Sequence, residues 1–391
     1  MSRFLTGAEA PDSVSNRLQA RHLGGRGSRE RPLTAIERDR VPVDNPPVTL
    51  KEVAARAGVH PATASRALNP ERRGLVSEGV AGRVLAAAEA LGYSPNPLAR
   101  SLRTRRSHTV GVLIPDLNNP LFPPLVRGLE DRLAAAGYVA LIGNTDGNDD
   151  RERLIVEQMR ARRVDGLAIA TARRHYPLLA QAASAGLPVV LMNRMAEDHS
   201  FPSVSVDNDR GIRLAVAHLA ALGHRRIAHI AGPQDVSTGL ERYRGFVAAM
   251  AASGLEASAG LVAFARAFSV QEGTRCGQLL LERAPECTAV AAANDMLAVG
   301  CYSALEAAGR SCPADISVVG FNDMPFIDRL RPPLTTIRFP HYQVGHEAAG
   351  ALLELIAGRS SPVRVLRLAP ELVVRGSTGV RPGASGPSSR R

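Results

Sequence analysis

The stretch "VTLKEVAARAGVHPATASRALN", Val48 to Asn69, decides how the front of this chain folds. Thr49 and Glu52 stand at capping-box spacing, where each side chain can satisfy the other's orphan backbone N–H. Leu50, Val53, Ala54 and Ala57 fall on one face, which predicts a helix to about Ala57. Gly58 permits a sharp turn. Pro61 suits the first position of a second helix, because its missing N–H costs nothing there. Ala64 and Leu68 point inward, leaving Pro61, Ala62, Thr63, Ser65, Arg66 and Asn69 outward. Ser77 is expected to cap a third helix with the stripe Val80, Val84, Ala88 and Leu91, closed by Gly92.

Three short helices with a tight turn between the first two make a helix-turn-helix unit, whose second helix fits the major groove of DNA. Arg66 can fork onto a guanine edge or a phosphate. Thr63 and Ser65 offer short hydroxyls to phosphate oxygens. The alternative is an ordinary three-helix domain with a solvated polar face.

The charge is placed accordingly. The chain has 391 residues and a formal charge of +11. Lys51 is the sole lysine, so the arginine total partly reflects a codon bias. Between Pro47 and Ser107 there are ten Lys or Arg against four Asp or Glu, a surplus of six that points to a polyanionic partner. In "SPNPLARSLRTRRS", Ser94 to Ser107, Leu102 sits among Arg100, Arg103, Arg105 and Arg106. The residues alone read either as a basic linker or as an apolar wedge for the minor groove.

From His108 strand-like runs alternate with helical stretches: "VGVLI", "YVALI", "GLAIA", "PVVLM", "RIAHIAG", "AVAAAND" and "ISVVGF". Alternation of this kind predicts parallel sheets covered by helices, in two lobes. Ligands of such sheets bind beyond the carboxyl ends of the strands. The residues there are Asp116 to Asn119, Asn193, Arg194, Asn294, Asp295, Asn322 and Asp323. They suit a hydroxylated molecule such as a sugar, although Asn and Asp also cap helices that follow strands.

Enzyme signatures are missing. With lysine confined to position 51, no G-K-[ST] phosphate loop and no Schiff-base lysine in the large domain is possible. "GGRG" at Gly24 to Gly27 follows no strand, and no G-x-S-x-G elbow or H-E-x-x-H pair occurs. His218, His224 and His229 read as packing or surface residues, and no metal or cofactor is expected. Cys276, Cys287, Cys301 and Cys312 form no C-x-x-C pair and read as buried thiols in a reducing compartment. No apolar run approaches a membrane span and no signal core is evident, so a cytoplasmic protein is expected.

These motifs resemble the LacI/GalR family of bacterial transcriptional regulators over about residues 47 to 378. "VTLKEVAARAGVHPATASRALN" is similar to the family's DNA-binding helices. "VLAAAEALGYSPNPLARSLRTRRSHTVGVLIPDLNNPLF" is similar to its third helix, hinge and first sheet strand. "HLAALGHRRIAHIAGP", "ANDMLAVG", "ADISVVGFNDMP" and "RPPLTTI" are also family-like.

The resemblance implies an all-α helix-turn-helix headpiece joined to an α/β two-lobed effector domain like the periplasmic binding proteins. Residues 47–93 would be the helix-turn-helix and 94–107 the hinge; residues 1–46 mix Arg, Glu, Asp, Pro and Gly without periodicity and by composition read as a disordered extension, with a DNA-touching arm the alternative. Residues 108–380 would form the effector-binding and dimerisation domain, with 381–391 a tail. Lobe one would take about 108–206 and 339–366, and lobe two about 207–338 and 367–380. Crossings would fall near Val206, Phe339 and Leu366. The implied DNA surface is Thr49, His60, Pro61, Ala62, Thr63, Ser65, Arg66, Asn69, Asn96, Leu102 and Arg103, and Leu102 matches a leucine that opens a base step. The implied effector contacts are Asn119, Phe122, Asn193, Arg194, Arg242, Phe268, Asn294, Asp295 and Asn322. The protein would be a homodimeric repressor of a near-palindromic operator, controlled by a sugar or sugar derivative.

Several residues depart from the family pattern. His60 replaces a capping serine. Pro61 and Ala62 stand where base-reading side chains are usual. Asn193 and Asn322 stand where many relatives carry Asp. The leucine-heptad tetramerisation tail is missing.

Overall fold

The computed structural model describes residues 48–69, 72–94, 106–177, 186–197, 200–359 and 365–381. They form two compact units, divided after Ser94.

The first unit holds α1 (Leu50–Ala57), α2 (Pro61–Leu68) and α3 (Glu78–Ala90). The capping box is complete: the Thr49 amide donates to Glu52 Oε2 at 2.6 Å and the Glu52 amide donates to Thr49 Oγ1 at 3.4 Å. Gly58 adopts φ 66°, ψ 39°, a left-handed conformation that costs glycine little, and the Val59 amide closes back onto the Ala54 carbonyl. The core is built of small residues, Val53, Ala54, Ala57, Ala64, Ala67, Ala81, Val84, Ala87 and Ala88, so the helices lie close together. Leu68, expected inside, is half-buried, and Ala67 takes the deeper place. Ser77 stands at the N-cap of α3, but its side chain makes no capping bond.

In the second unit, β1 (Thr109–Ile114), β2 (Val139–Asn144), β3 (Gly166–Ile169), β4 (Val189–Met192), β5 (Ser203–Val206) and β11 (Val365–Leu368) form one parallel sheet, ordered β11-β5-β4-β3-β1-β2. The other sheet, ordered β12-β10-β9-β8-β6-β7, takes β6 (Ile227–Ala231), β7 (Val262–Phe264), β8 (Ala289–Ala292), β9 (Ser317–Asn322), β10 (Thr335–Arg338) and β12 (Glu371–Val373). Only β12 is recorded running antiparallel, on β10. The seven strand-like runs all become strands. β5, β7, β10, β11 and β12 were not anticipated.

Covering helices include α4 (Phe122–Ala135), α5 (Asp149–Ala161), α6 (Asn208–Ala221), α7 (Ser237–Ala252), α8 (Val270–Arg283), α9 (Asp295–Ala307) and α10 (His341–Ile356). α4 and α10 touch backbone to backbone: a Cβ on Gly345 would run into the Leu125 carbonyl, and one on Gly128 into that of Tyr342. The chain passes between the sheets after Val206 and at Phe339. The third passage lies at residues 369–370 rather than near Leu366, because β11 stays paired with β5 through Leu368↔Val206.

Candidate functional site

The outward face of α2 is built around its N-terminus. His60 caps it: Nδ1 accepts the Ala62 amide at 3.2 Å, so the imidazole does the work of the usual serine hydroxyl. Ala62 and Arg66 are exposed, and Pro61, Thr63, Ser65 and Asn69 are half-exposed along the same helix. Thr49 is exposed, but its hydroxyl already donates to Glu52 at 2.9 Å. Those bonds, the backbone one first, hold the Glu52 carboxyl below its usual range. Asn96, Leu102 and Arg103 lie outside the described residues.

In the second unit, strand ends of both sheets face one cleft of about 470 Å³. Asn119 and Phe122 line it from the first lobe, together with Asn193 and Arg194 at the end of β4. Arg242 of α7, Phe268, Asn294 and Asn322 line it from the second. Asn193 turns the chain at φ 66°, a conformation that asparagine tolerates better than most residues. Gly232 matters because a Cβ there would strike the Phe268 ring.

Arg242 is buried. Its Nε donates to Asn208 Oδ1 at 2.9 Å, its Nη1 to the Ala293 carbonyl at 2.6 Å, and its guanidinium lies 3.7 Å from the Phe321 ring centroid. Burial pulls its pKa down to about 9 and that of Arg194 down to about 10, so both stay charged at neutral pH. Two buried polar atoms of the wall, Arg194 Nε and Asn322 Oδ1, have no hydrogen-bond partner. An unmade bond at a buried polar atom costs about 1–3 kcal/mol.

Asp295 is the expected cleft residue that lies behind the wall. Its carboxylate accepts Thr336 Oγ1 at 2.6 Å and the Met324 amide at 2.9 Å, so it ties α9 to β10. Burial pushes its pKa up to about 6. Sequence reasoning missed Arg173 and Asp235, which bridge the lobes at the rim at 2.5 Å. The backbone adds Arg174 N–H to the Asp235 carbonyl at 2.8 Å, and the Met195 amide meets Ser237 Oγ at 2.9 Å. Only the charge of the loops after β3 and β6 could have hinted at this. His218, His224 and His229 pack as expected. His224 bridges Thr288 and the Gly379 carbonyl, and His229 stacks on Phe246 at 4.5 Å.

Comparison with known proteins gives this geometry a context. The family described as "Bacterial regulatory proteins, lacI family" matches residues 49–96, and "Periplasmic binding protein-like domain" matches residues 216–378. The HTH-type transcriptional repressor CytR of Escherichia coli (strain K12) is 32% identical over 335 residues, 85% of this chain and 97% of that protein. The chain belongs to the LacI family. It is a DNA-binding regulator of transcription, and the relatives it matches are repressors rather than enzymes. Among solved LacI-family structures, the lac repressor dimer bound to operator and the anti-inducer ONPF aligns with a TM-score of 0.74 at 27% identity, covering 85% of this chain and all of that one (100%). The regulator CelR in complex with cellobiose aligns at 0.66 and 32%, covering 84% and 99%. No described helix is long and apolar enough to cross a membrane.

Proposed function

We propose that α2 reads a near-palindromic operator and that the cleft holds a small hydroxylated effector whose binding sets operator affinity. The protein acts as a homodimeric repressor in this reading. Arg66 is the base- or phosphate-reading side chain, with Thr63, Ser65 and Asn69 on the backbone. Pro61 and Ala62 contribute shape, since neither side chain can donate a hydrogen bond. Leu102 acts as the minor-groove wedge, a role that rests on family resemblance alone. Replacing it with Ala should weaken operator binding but not binding to unrelated DNA, as competition titrations would reveal.

The observation that carries the effector reading is the cleft of about 470 Å³ between the two sheets, lined by Asn193 and Arg194 from one and by Arg242, Asn294 and Asn322 from the other. Amide and guanidinium groups of this kind suit the hydroxyls of a sugar. Lobes that close on a ligand change orientation, and the ligand shifts DNA affinity only by its differential affinity for the two orientations. The test is operator binding in the presence of metabolite fractions from the source cell. Wild type should respond to one fraction, and Asn322→Ala should bind the operator equally well but not respond. An equal response from the variant would remove Asn322 from the site.

A further inference from the structure

The buried part of the cleft is rich in donors, its acids being only partly buried or exposed. Asn119 Oδ1 already accepts the Leu121 amide at 3.0 Å, and Asn294 Oδ1 accepts the Leu297 amide at 2.9 Å. Each therefore has its amide N–H₂ left to offer. Arg242 uses Nε and Nη1 on the protein, and its Nη2 has no protein partner among the described residues. Helices α4, α7, α8 and α9 start at the cleft, since Leu121, Val236, Ser269 and Asn294, their N-caps, all line it. Helix N-termini carry partial positive charge and favour anions.

The charges tell the same way. Arg173, Arg174, Arg338 and Arg375 all sit in ion pairs. Arg194 and Arg242 line the cleft and form none among the described residues. The acids of the lining, Asp116, Asp146 and Asp235, are only partly buried or exposed. Asp235 is paired with Arg173, and Asp146 with Arg151 at 2.5 Å. The buried acid nearest in kind, Asp295, has its carboxylate taken up by Thr336 and Met324. Glu241 and Asp295 act on Arg242, and Asp235 and Glu152 on Arg194, but none forms an ion pair with them, so a ligand anion in direct contact can supply the charge-assisted bonds that these carboxylates do not.

We infer that the effector is an anion, a small polyhydroxylated molecule whose carboxylate or phosphate is held by Arg194 and Arg242. This rests on the reading of the cleft as the effector site. Guanidinium groups suit both carboxylate and phosphate, and the two share the same acceptor chemistry.

Calorimetry on the full chain tests it with matched sets: glucose, gluconate and glucose 6-phosphate, then ribose, ribonate and ribose 5-phosphate, with inorganic phosphate alone as a further probe. In at least one set a charged member should bind ten times or more tighter than its neutral parent, and which member does so tells carboxylate from phosphate. Arg194→Gln should lower that preference by roughly 10- to 100-fold, the loss of one charge-assisted bond. The wild-type comparison decides alone should that variant not fold. A neutral sugar that binds as tightly as its charged partners overturns the anion, while the effector reading stands. If no member of either set binds, nor inorganic phosphate, to a chain that still holds operator, both readings fall.

Discussion

At the scale of single residues, the cleft is defined by what its side chains leave undone. Asn294 is a helix cap first, and Asn119 first holds the turn before α4 through the Leu121 amide; the capping role was readable from Asn294's place after a strand. Their remaining N–H₂ groups are visible only once those bonds are drawn. Asp295 shows the opposite: it shares the strand-end pattern of its neighbours, yet both its oxygens are engaged inside. Pattern gives the end of a strand but not the direction of a side chain. His229 supplies a test of the packing. Burial lowers its pKa to about 4, below the free value of about 6.5. A lowered folded pKa means that its share of stability is full above pH 6.5 and is lost as pH falls toward 4. For this group alone that is on the order of 3 kcal/mol. The thermal midpoint should fall between pH 6.5 and 4.5, and less steeply in His229→Leu; parallel curves would assign the acid sensitivity elsewhere.

At the scale of elements, the helix-turn-helix was legible almost residue by residue because its signals are local. The capping box, Gly58 and Pro61 act within a few residues of themselves. Strands β5, β10, β11 and β12 were not, because "SVSV" or "VLRL" gains meaning only from the strand beside it, which is distant in sequence. Two predictions belong here. Arg66→Ala should cost about 1–3 kcal/mol of discrimination at one base position and leave far-UV helicity unchanged. Selection of bound sequences would reveal the relaxed position, and an unaltered motif would show that Arg66 contacts no base. Gly345→Ala should separate α4 from α10, because the added carbon meets the Leu125 carbonyl. Overpacking of this kind costs about 1–3 kcal/mol, so the thermal midpoint of the second unit should drop. No drop would mean that the two helices tolerate wider spacing.

At the scale of the whole molecule, the question is how a cleft can speak to a DNA-reading helix. Asp165 stands beside the residues that lead into β1. Its carboxylate accepts the Ser107 amide at 2.8 Å, the Ser107 hydroxyl at 3.1 Å and the His108 amide at 2.9 Å. Arg106 Nη2 adds a bond to the Ile356 carbonyl at the end of α10, 2.9 Å long. These bonds fix Arg106, Ser107 and His108 to lobe one. Asp165→Ala should keep effector affinity and blunt the change in operator affinity, as paired calorimetry and DNA titration would tell. The rim pair Arg173–Asp235 bridges the lobes in the orientation seen here. The linkage itself is tested most directly by one measurement: genome fragments captured by the purified full chain, with and without small-molecule extract of the source cells. The account predicts a short two-fold-symmetric motif whose enrichment changes when extract is added. No motif in either condition, or one that extract leaves untouched, would contradict it.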